Sequence, residues 1–244
     1  MSYGYTGKIL HVNLTTSEIK VEEPEEQFYR TYMGGSAMGM HYVLKETPAG
    51  VEPLSPDNVL ALCTGVVTGT PISGQSRLTS VAKSPLTGCI GDAQGGGYFP
   101  AEMKFSGFDA VIIKGKSPKP VYLWMHHGEA ELRDANHLWG LTTGDAEDKL
   151  KEELEDKRIE VLQIGPAGEN LVRFAALISM SNRANGRTGM GAVMGSKNLK
   201  AVVVRGKQKP TIADPERFKK LQKLGKTLLE PTGMDGFGKY GTPD

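Results

Sequence analysis

The chain has 244 residues, a formal net charge of +1 and 39% hydrophobic residues, enough apolar material for one large or two small buried cores. A balance so near neutrality gives no general argument for nucleic acid or a membrane surface, and no apolar run approaches the ~20 residues of a membrane span. Cys63 and Cys89 are the only cysteines and lie far apart, which argues against a disulfide framework and against a zinc or iron–sulfur site held by this chain alone. The amino terminus, Met1-Ser-Tyr-Gly-Tyr-Thr-Gly7, lacks a charged and apolar leader, so the expectation is a soluble, cytoplasmic protein.

In chain order, Lys8-Ile-Leu-His-Val-Asn-Leu14 and Glu18-Ile-Lys-Val21 alternate apolar and polar residues around Thr15-Thr-Ser17, the pattern of a hairpin with one wet face. His11 lies inside the first strand with no second metal ligand near it, and reads as a sheet histidine with its own partner. Pro24-Glu-Glu opens a helix by charge and capping rules, with Phe28, Tyr32 and Met33 on its apolar side. After Gly34-Gly35, Ser36 is placed to cap a second helix reaching about Lys45, and Pro48, Pro53 and Pro56 mark a surface loop. Asn58-Val-Leu-Ala-Leu-Cys-Thr64 is almost continuously apolar, which predicts a strand covered on both faces, with Cys63 as a small buried hydrophobe.

Residues 65–77 form a long loop of small and hydroxylic residues at the end of that strand, a common place for ligands in sheet proteins. Arg77 leads a strand over residues 78–82, and Ser84-Pro-Leu-Thr-Gly88 turns the chain back. Arg77, Gln94 and the Gly95-Gly96-Gly97 run are therefore candidate ligand contacts. Residues 120–126 and 129–133 form another hairpin around His127-Gly128; His126 and His127 point to opposite faces, which argues against one shared metal ion. Thr142 or Thr143 caps a charged helix, residues 160–164 form a strand, and residues 171–178 form the strand after it. Asp214-Pro-Glu begins a last helix, with Phe218, Leu221, Leu224 and Leu228 on one side, and residues 231–244 read as a linker.

Two stretches repeat. Phe108-Asp-Ala-Val-Ile-Ile-Lys-Gly-Lys116 and Leu199-Lys-Ala-Val-Val-Val-Arg-Gly-Lys207 match in strand, following glycine and closing lysine, and a Gly-rich loop precedes each. Such self-similarity predicts an internal duplication, the second copy opening at Glu160 as the first opens at Val59. The segment from Arg183 to Lys200 has the densest glycines and flanking cations, which suits backbone N–H contacts to a phosphate. Two such loops on one face could hold one large, doubly phosphorylated ligand. Lys197, Lys200, Arg205, Lys207 and Lys209 also cluster, and their pattern fits a solvated strand end better than an anion patch. Gly189-Met-Gly191-Ala-Val-Met-Gly195 has the spacing of a dinucleotide fingerprint, but the following strand ends in Arg205 and Lys207 where an acidic residue is required.

Gly165-Pro-Ala-Gly-Glu-Asn170, Arg183-Ala-Asn-Gly-Arg187, the segment from Gly191 to Ala201, Ser84-Pro-Leu-Thr-Gly88 and Gly96-Gly-Tyr-Phe99 resemble the amino-terminal domain of the tungsten-containing aldehyde:ferredoxin oxidoreductases. The resemblance runs in order from about Tyr5 to Gly241. It implies an α+β fold of two β-sheets related by a pseudo-two-fold, with a few helices, forming a saddle-like base for a tungsten bis-pterin cofactor. It implies that Arg77, Gly96, Arg183 and Gly186 contact the pterins, and that a magnesium ion bridging their phosphates is held by the Gln94 side chain and the Ala184 carbonyl. The family pattern has the shorter Asn where this chain has Gln94; magnesium demands near-octahedral ligands at ~2.0–2.1 Å, so direct and water-mediated contact both stay open.

The implied reaction is oxidation of an aldehyde to a carboxylic acid, electrons leaving through a 4Fe-4S cluster to ferredoxin. The resemblance places no catalytic residue in this chain: cluster and acid/base residues belong to C-terminal domains. Residues 1–210 are expected to be the cofactor-cradling domain and 211–244 a helix and linker toward a C-terminal region that the chain lacks. The alternative is a stand-alone pterin-cofactor carrier or assembly module without catalytic activity. Tungsten and molybdenum, the identity of the aldehyde, and a homodimer all remain open at this point.

Overall fold

In the computed structural model, which describes residues 3–229 and 238–239, the first half comprises β1 (Ile9–Asn13), β2 (Glu18–Glu22), α1 (Glu26–Tyr32), α2 (Gly35–Glu46), β3 (Leu60–Thr64), β4 (Leu78–Lys83), β5 (Ile90–Gly95), α3 (Phe99–Phe105) and β6 (Ala110–Lys114). The second comprises β7 (Val121–His126), β8 (Glu129–Asp134), α4 (Thr143–Glu153), β9 (Glu160–Gln163), α5 (Pro166–Glu169), β10 (Leu177–Ser179), β11 (Arg183–Asn185), α6 (Met190–Ser196) and β12 (Leu199–Arg205), followed by α7 (Pro215–Leu229). Each half builds one mixed six-stranded sheet, ordered β2-β1-β6-β3-β4-β5 and β8-β7-β12-β9-β10-β11. The pairing senses agree throughout. β1 with β6 and β7 with β12 are parallel, and every other pair is antiparallel.

The duplication expected from residues 108–116 and 199–207 is thus present and larger than the sequence suggested. Each opening hairpin belongs to its repeat, because β1 and β7 hydrogen-bond to the last strand of their own half. Other local differences have local causes. Ser36 does not cap α2: Gly34 takes that place at φ 122°, where a side chain would be strained. Tyr29, not Met33, faces inward from α1; Met33 caps it in a left-handed conformation and is 62% exposed. β10 begins at Leu177 and not at Leu171, because residues 171–175 are folded into turns by bonds such as Val172 N–H to Ala167 O and Ala175 N–H to Val172 O. β5, Ile90-Gly-Asp-Ala-Gln-Gly95, with two glycines and one large apolar residue, carries too little apolar signal to be read as a strand.

The sheets face each other across one core. Leu10, Leu62, Val111 and Ile113 from the first meet Leu123, Leu162, Val202 and Val204 from the second, with Phe99 and Met103 of α3 and Val193 and Met194 of α6 joining them. The outer face of the first sheet is covered by Tyr29, Met38, Tyr42 and Val43 of α1 and α2, and that of the second by Leu150 of α4 with Leu138 and Ile159. Edge strand β2 is protected by charge, with Glu18, Lys20 and Glu22 alternating along it. His11 is satisfied within its sheet by Glu22, 2.6 Å from its Nε2.

Buried charge follows the repeat with its sign reversed. Asp109, 1% exposed, accepts bonds from the Thr6 and Gly7 N–H groups and faces Lys104. At the matching position of the second repeat stands Lys200, fully buried on the carboxylate of Glu169 and bonded to Leu141 O. Lys197 is also buried, its ammonium on the Pro56 and Gly115 carbonyls of the first half. Arg205 pairs with Glu102 and Asp156. The basic cluster is therefore neither a solvated strand end nor an anion patch at these three positions, because each side chain is turned inward onto fixed oxygen acceptors.

After β12 the chain returns to the first half through the bonds Gln208 N–H to Phe105 O and Gly4 N–H to Thr211 O. Asp214 caps α7 by accepting from Arg217 N–H, and Leu221 and Leu224 are about half exposed. The side chain of Leu228 and most of the expected linker lie outside the described residues.

Removing one member of a buried ion pair leaves the other uncompensated. Lys200→Met should therefore lower unfolding free energy by about 3–5 kcal/mol, while the Lys200→Met, Glu169→Leu double variant recovers most of that loss. Urea titrations of the four proteins of this cycle measure it. Glu160 gives a pH signature. Burial, then Glu147 and Glu102, push its carboxyl up to about 7, so the folded state takes up a proton before the unfolded one does. Its contribution to stability is greatest below about pH 4.5 and is lost as pH rises through about 7. The difference in melting temperature between parent and Glu160→Gln should shift in the parent's favour on going from pH 8 to pH 5.

Candidate functional site

The two Gly-rich segments lie 85 to 90 positions apart in sequence and touch in space. Gly95 ends β5 and Asn185 ends β11, the outermost strands of the two sheets on the same side of the molecule. A Cβ placed on Gly95 would lie 2.2 Å from Asn185 Oδ1, and one on Gly97 would lie 3.1 Å from Arg183 Cγ. The Asn185 amide donates to Ala93 O, Ser80 Oγ and Leu78 O in the first sheet. Nearby, Ser84 Oγ donates to Thr188 O, and Tyr98 N–H points at Met180 Sδ. The sequence-predicted juxtaposition of the two loops on one face is observed.

The Gly-dense segment from Arg183 to Lys200 has an exposed part and a buried part. Gly186 is exposed, with only Ala184 Cβ near the place a side chain would take. Gly191 and Gly195, by contrast, are buried, and a Cβ on Gly195 would meet Gly168 O at 2.0 Å. These glycines let α6 lie against α5 and the residues after it, a close backbone approach that only glycine permits. The fingerprint-like spacing therefore reflects helix packing.

On the outer surface of the junction, Arg77, Gln94, Tyr98, Arg183, Ala184 and Gly186 are all exposed. Arg77 precedes Leu78, whose register partner is Gly95, so it stands beside Gly96. Neither Arg77 nor Arg183 has an ion-pair partner among the described residues. Gln94 pairs with Thr79, the second residue of β4, and Ala184 pairs with Ile178, the second residue of β10. The two expected magnesium positions are thus equivalents under the pseudo-two-fold, one from each repeat. Gly96 and Gly186 are equivalents in the same way, each following the last residue of its strand.

Asn185 is the residue that sequence reasoning left without a role. It sits in the Arg-Ala-Asn-Gly-Arg segment, but nothing in the local pattern shows that its side chain turns inward. Tyr98, 68% exposed beside the glycine run, is a further aromatic surface of the same face. Among the described residues no group of three or more His, Cys, Asp or Glu is placed to hold a metal ion, and no helix is long and apolar enough to cross a membrane. Cys63 is fully buried and Cys89 exposed; burial pushes the Cys63 thiol up, away from reactivity.

Comparison with known proteins agrees with this architecture. The family model described as aldehyde ferredoxin oxidoreductase, N-terminal domain, matches residues 9–206. A tungsten-containing aldehyde ferredoxin oxidoreductase of Pyrococcus abyssi is 48% identical over 98% of this chain. An aliphatic sulfonate oxidoreductase, WOR-like subunit, of Pyrococcus furiosus is 36% identical over the same share. In both cases the chain spans 40% of the relative's length. The solved active site complex BamBC of benzoyl coenzyme A reductase superposes with a TM-score of 0.89 at 37% identity, covering 91% of this chain and 34% of that one. The chain belongs to the aldehyde ferredoxin oxidoreductase family, a family of oxidoreductases, and carries its N-terminal domain.

Proposed function

We propose that the β5–β11 junction is the open base of a tungsten bis-pterin site, one pterin lying against each repeat. The observation that carries this reading is the pairing of equivalent positions on one face: Gln94 with Ala184, both exposed, and half-buried Gly96 with exposed Gly186. A ligand with two similar halves suits a surface with two similar halves. The residues fit such a group. Gly96 and Gly186 present backbone without a side chain, and the exposed guanidinium groups of Arg77 and Arg183 have no competing carboxylate among the described residues. The Gln94 amide oxygen and the Ala184 carbonyl supply hard oxygen donors of the type magnesium takes, directly or through water.

In this reading the chain binds and orients and performs no proton transfer. When bound, the metal would supply the two-electron oxidation of an aldehyde to a carboxylic acid, in the division of labour usual for cofactor enzymes. Residues up to about 210 form the cradle, and residues 211–244 lead out of it toward further domains of the same enzyme. Those domains would hold the 4Fe-4S cluster that passes electrons to ferredoxin. Relatives more than twice the length of this chain support that arrangement.

A charge-assisted contact to an anionic ligand contributes roughly 1.5–3 kcal/mol. In the complete enzyme, Arg77→Ala and Arg183→Ala should therefore lower tungsten and pterin content about tenfold or more at limiting cofactor, with the melting point of the cofactor-free protein hardly moved. Metal analysis by mass spectrometry beside calorimetry makes the test; parent-like metal content in both variants would remove these arginines from the site. The isolated chain should also fail to retain cofactor tightly, because tight small-molecule sites bury about 70–90% of their ligand and this cradle is open on one side. Stoichiometric tungsten or molybdenum together with aldehyde-dependent reduction of a viologen dye by the 244-residue chain would overturn that expectation.

A further inference from the structure

We propose that Asn185 is the positioning residue of the cradle: its buried amide, seated where Gly95 has no side chain, sets the separation of the two loops that would face one ligand. Asn185 is 2% exposed. Its Nδ2 lies 2.8 Å from Ala93 O, 3.1 Å from Ser80 Oγ and 3.3 Å from Leu78 O, so one amide group of the second sheet grips two strands of the first. Gly95 and Asn185 are equivalents, since each pairs with the first residue of its neighbouring strand, Leu78 and Leu177. Two side chains cannot share that space: a Cβ on Gly95 would stand 2.2 Å from Asn185 Oδ1. The repeat therefore breaks its symmetry at this point, with glycine on one side and an amide on the other.

The consequence reaches the surface within one residue. Gly96, half-buried, follows Gly95, and Gly186, exposed, follows Asn185, so the clamp sets where both backbones stand. The same pseudo-symmetry makes the clamp exchangeable. Leu177 O, Ser179 Oγ and Arg183 O occupy in the second sheet the places of Leu78 O, Ser80 Oγ and Ala93 O in the first. Moving the amide across, in the double variant Gly95→Asn, Asn185→Gly, should rebuild the contact from the other side.

This inference rests on the cofactor-cradle reading for its use, and its test separates the two. Hydrogen exchange would be followed in the parent chain, in Asn185→Asp, which keeps the size but turns an oxygen toward the Leu78 and Ala93 carbonyls, in Gly95→Ala, and in the exchanged pair. Exchange over residues 94–98 and 183–188 should be about tenfold or more faster in both single variants, with the amides of β3 and β9 unchanged, and return to within about threefold of the parent in the exchanged pair. Parent-like exchange in both single variants, or an increase spread evenly over both sheets, overturns the positioning role. Should Asn185→Asp fail to fold, an exchanged pair as open as Gly95→Ala overturns it equally. Magnesium pyrophosphate added to the same proteins should bind the parent and the exchanged pair about tenfold more tightly than either single variant. No binding to the parent would count against the shared diphosphate ligand alone, with the exchange pattern still deciding the role of Asn185.

Discussion

The contact between the β5 and β11 edges depends on a constraint of space: the first repeat must lack a side chain where the second carries one. Gly95 and Asn185 meet at a distance that leaves no room for a methyl group, and the amide then satisfies acceptors on two strands of the opposite sheet. Closing the sheets along this edge brings their inner faces into one core. Away from the junction the halves diverge, and a cleft of about 640 Å³ separates the β1–β2 hairpin from the β7–β8 hairpin, lined by Ile19, Val21, Ala130 and Arg133.

The duplication is close in topology and loose in chemistry. Asp109 and Lys200 occupy one position with opposite charge, each with its own counter-ion, Lys104 and Glu169. Buried pairs of this kind are weak sources of net stability, since desolvation offsets much of the attraction. Breaking them is another matter, and each pair ties distant segments of its own half: Lys104 reaches Gly4 and Gly65 carbonyls, and Lys200 reaches Leu141. Lys197 joins the halves themselves, entering a site made of first-half carbonyls. Burial, opposed by the charge of Asp57, pulls its ammonium down to about 7.

The proposed role is that of a domain that orients a cofactor without enclosing it. The relatives named for aldehydes and for aliphatic sulfonates align over 98% of this chain, so the shared fold of this region does not by itself select a substrate. In the proposed reading, a surface built from backbone, two arginines and one amide would recognise a part of the ligand common to these relatives. In that reading, selection among substrates would fall to side chains that cover the reacting centre.

Strand β3 and strand β12 were legible because a continuous apolar run has few other uses in a chain this polar. The hairpins were legible because alternation and turn residues are local, and the repeat because two nine-residue segments match one another directly. The two-sheet fold class came from the family resemblance, with which the duplication agrees, and the duplication also pointed to the closeness of the two glycine runs. Other features depend on what lies across the fold. Gly191 and Gly195 read as phosphate contacts until α5 and the residues after it are seen packed against them. Lys197 and Lys200 read as solvated until carbonyls and a carboxylate from elsewhere in the chain are seen around them. The sequence alone determined the periodicities, and hence the strands, the duplication and the family likeness, because these arise between residues near in the chain or from direct comparison of segments. Only the tertiary structure decided that Asn185 turns inward against Gly95, because that choice is made by steric contact between residues 90 positions apart, and neither residue's neighbours along the chain carry any trace of it.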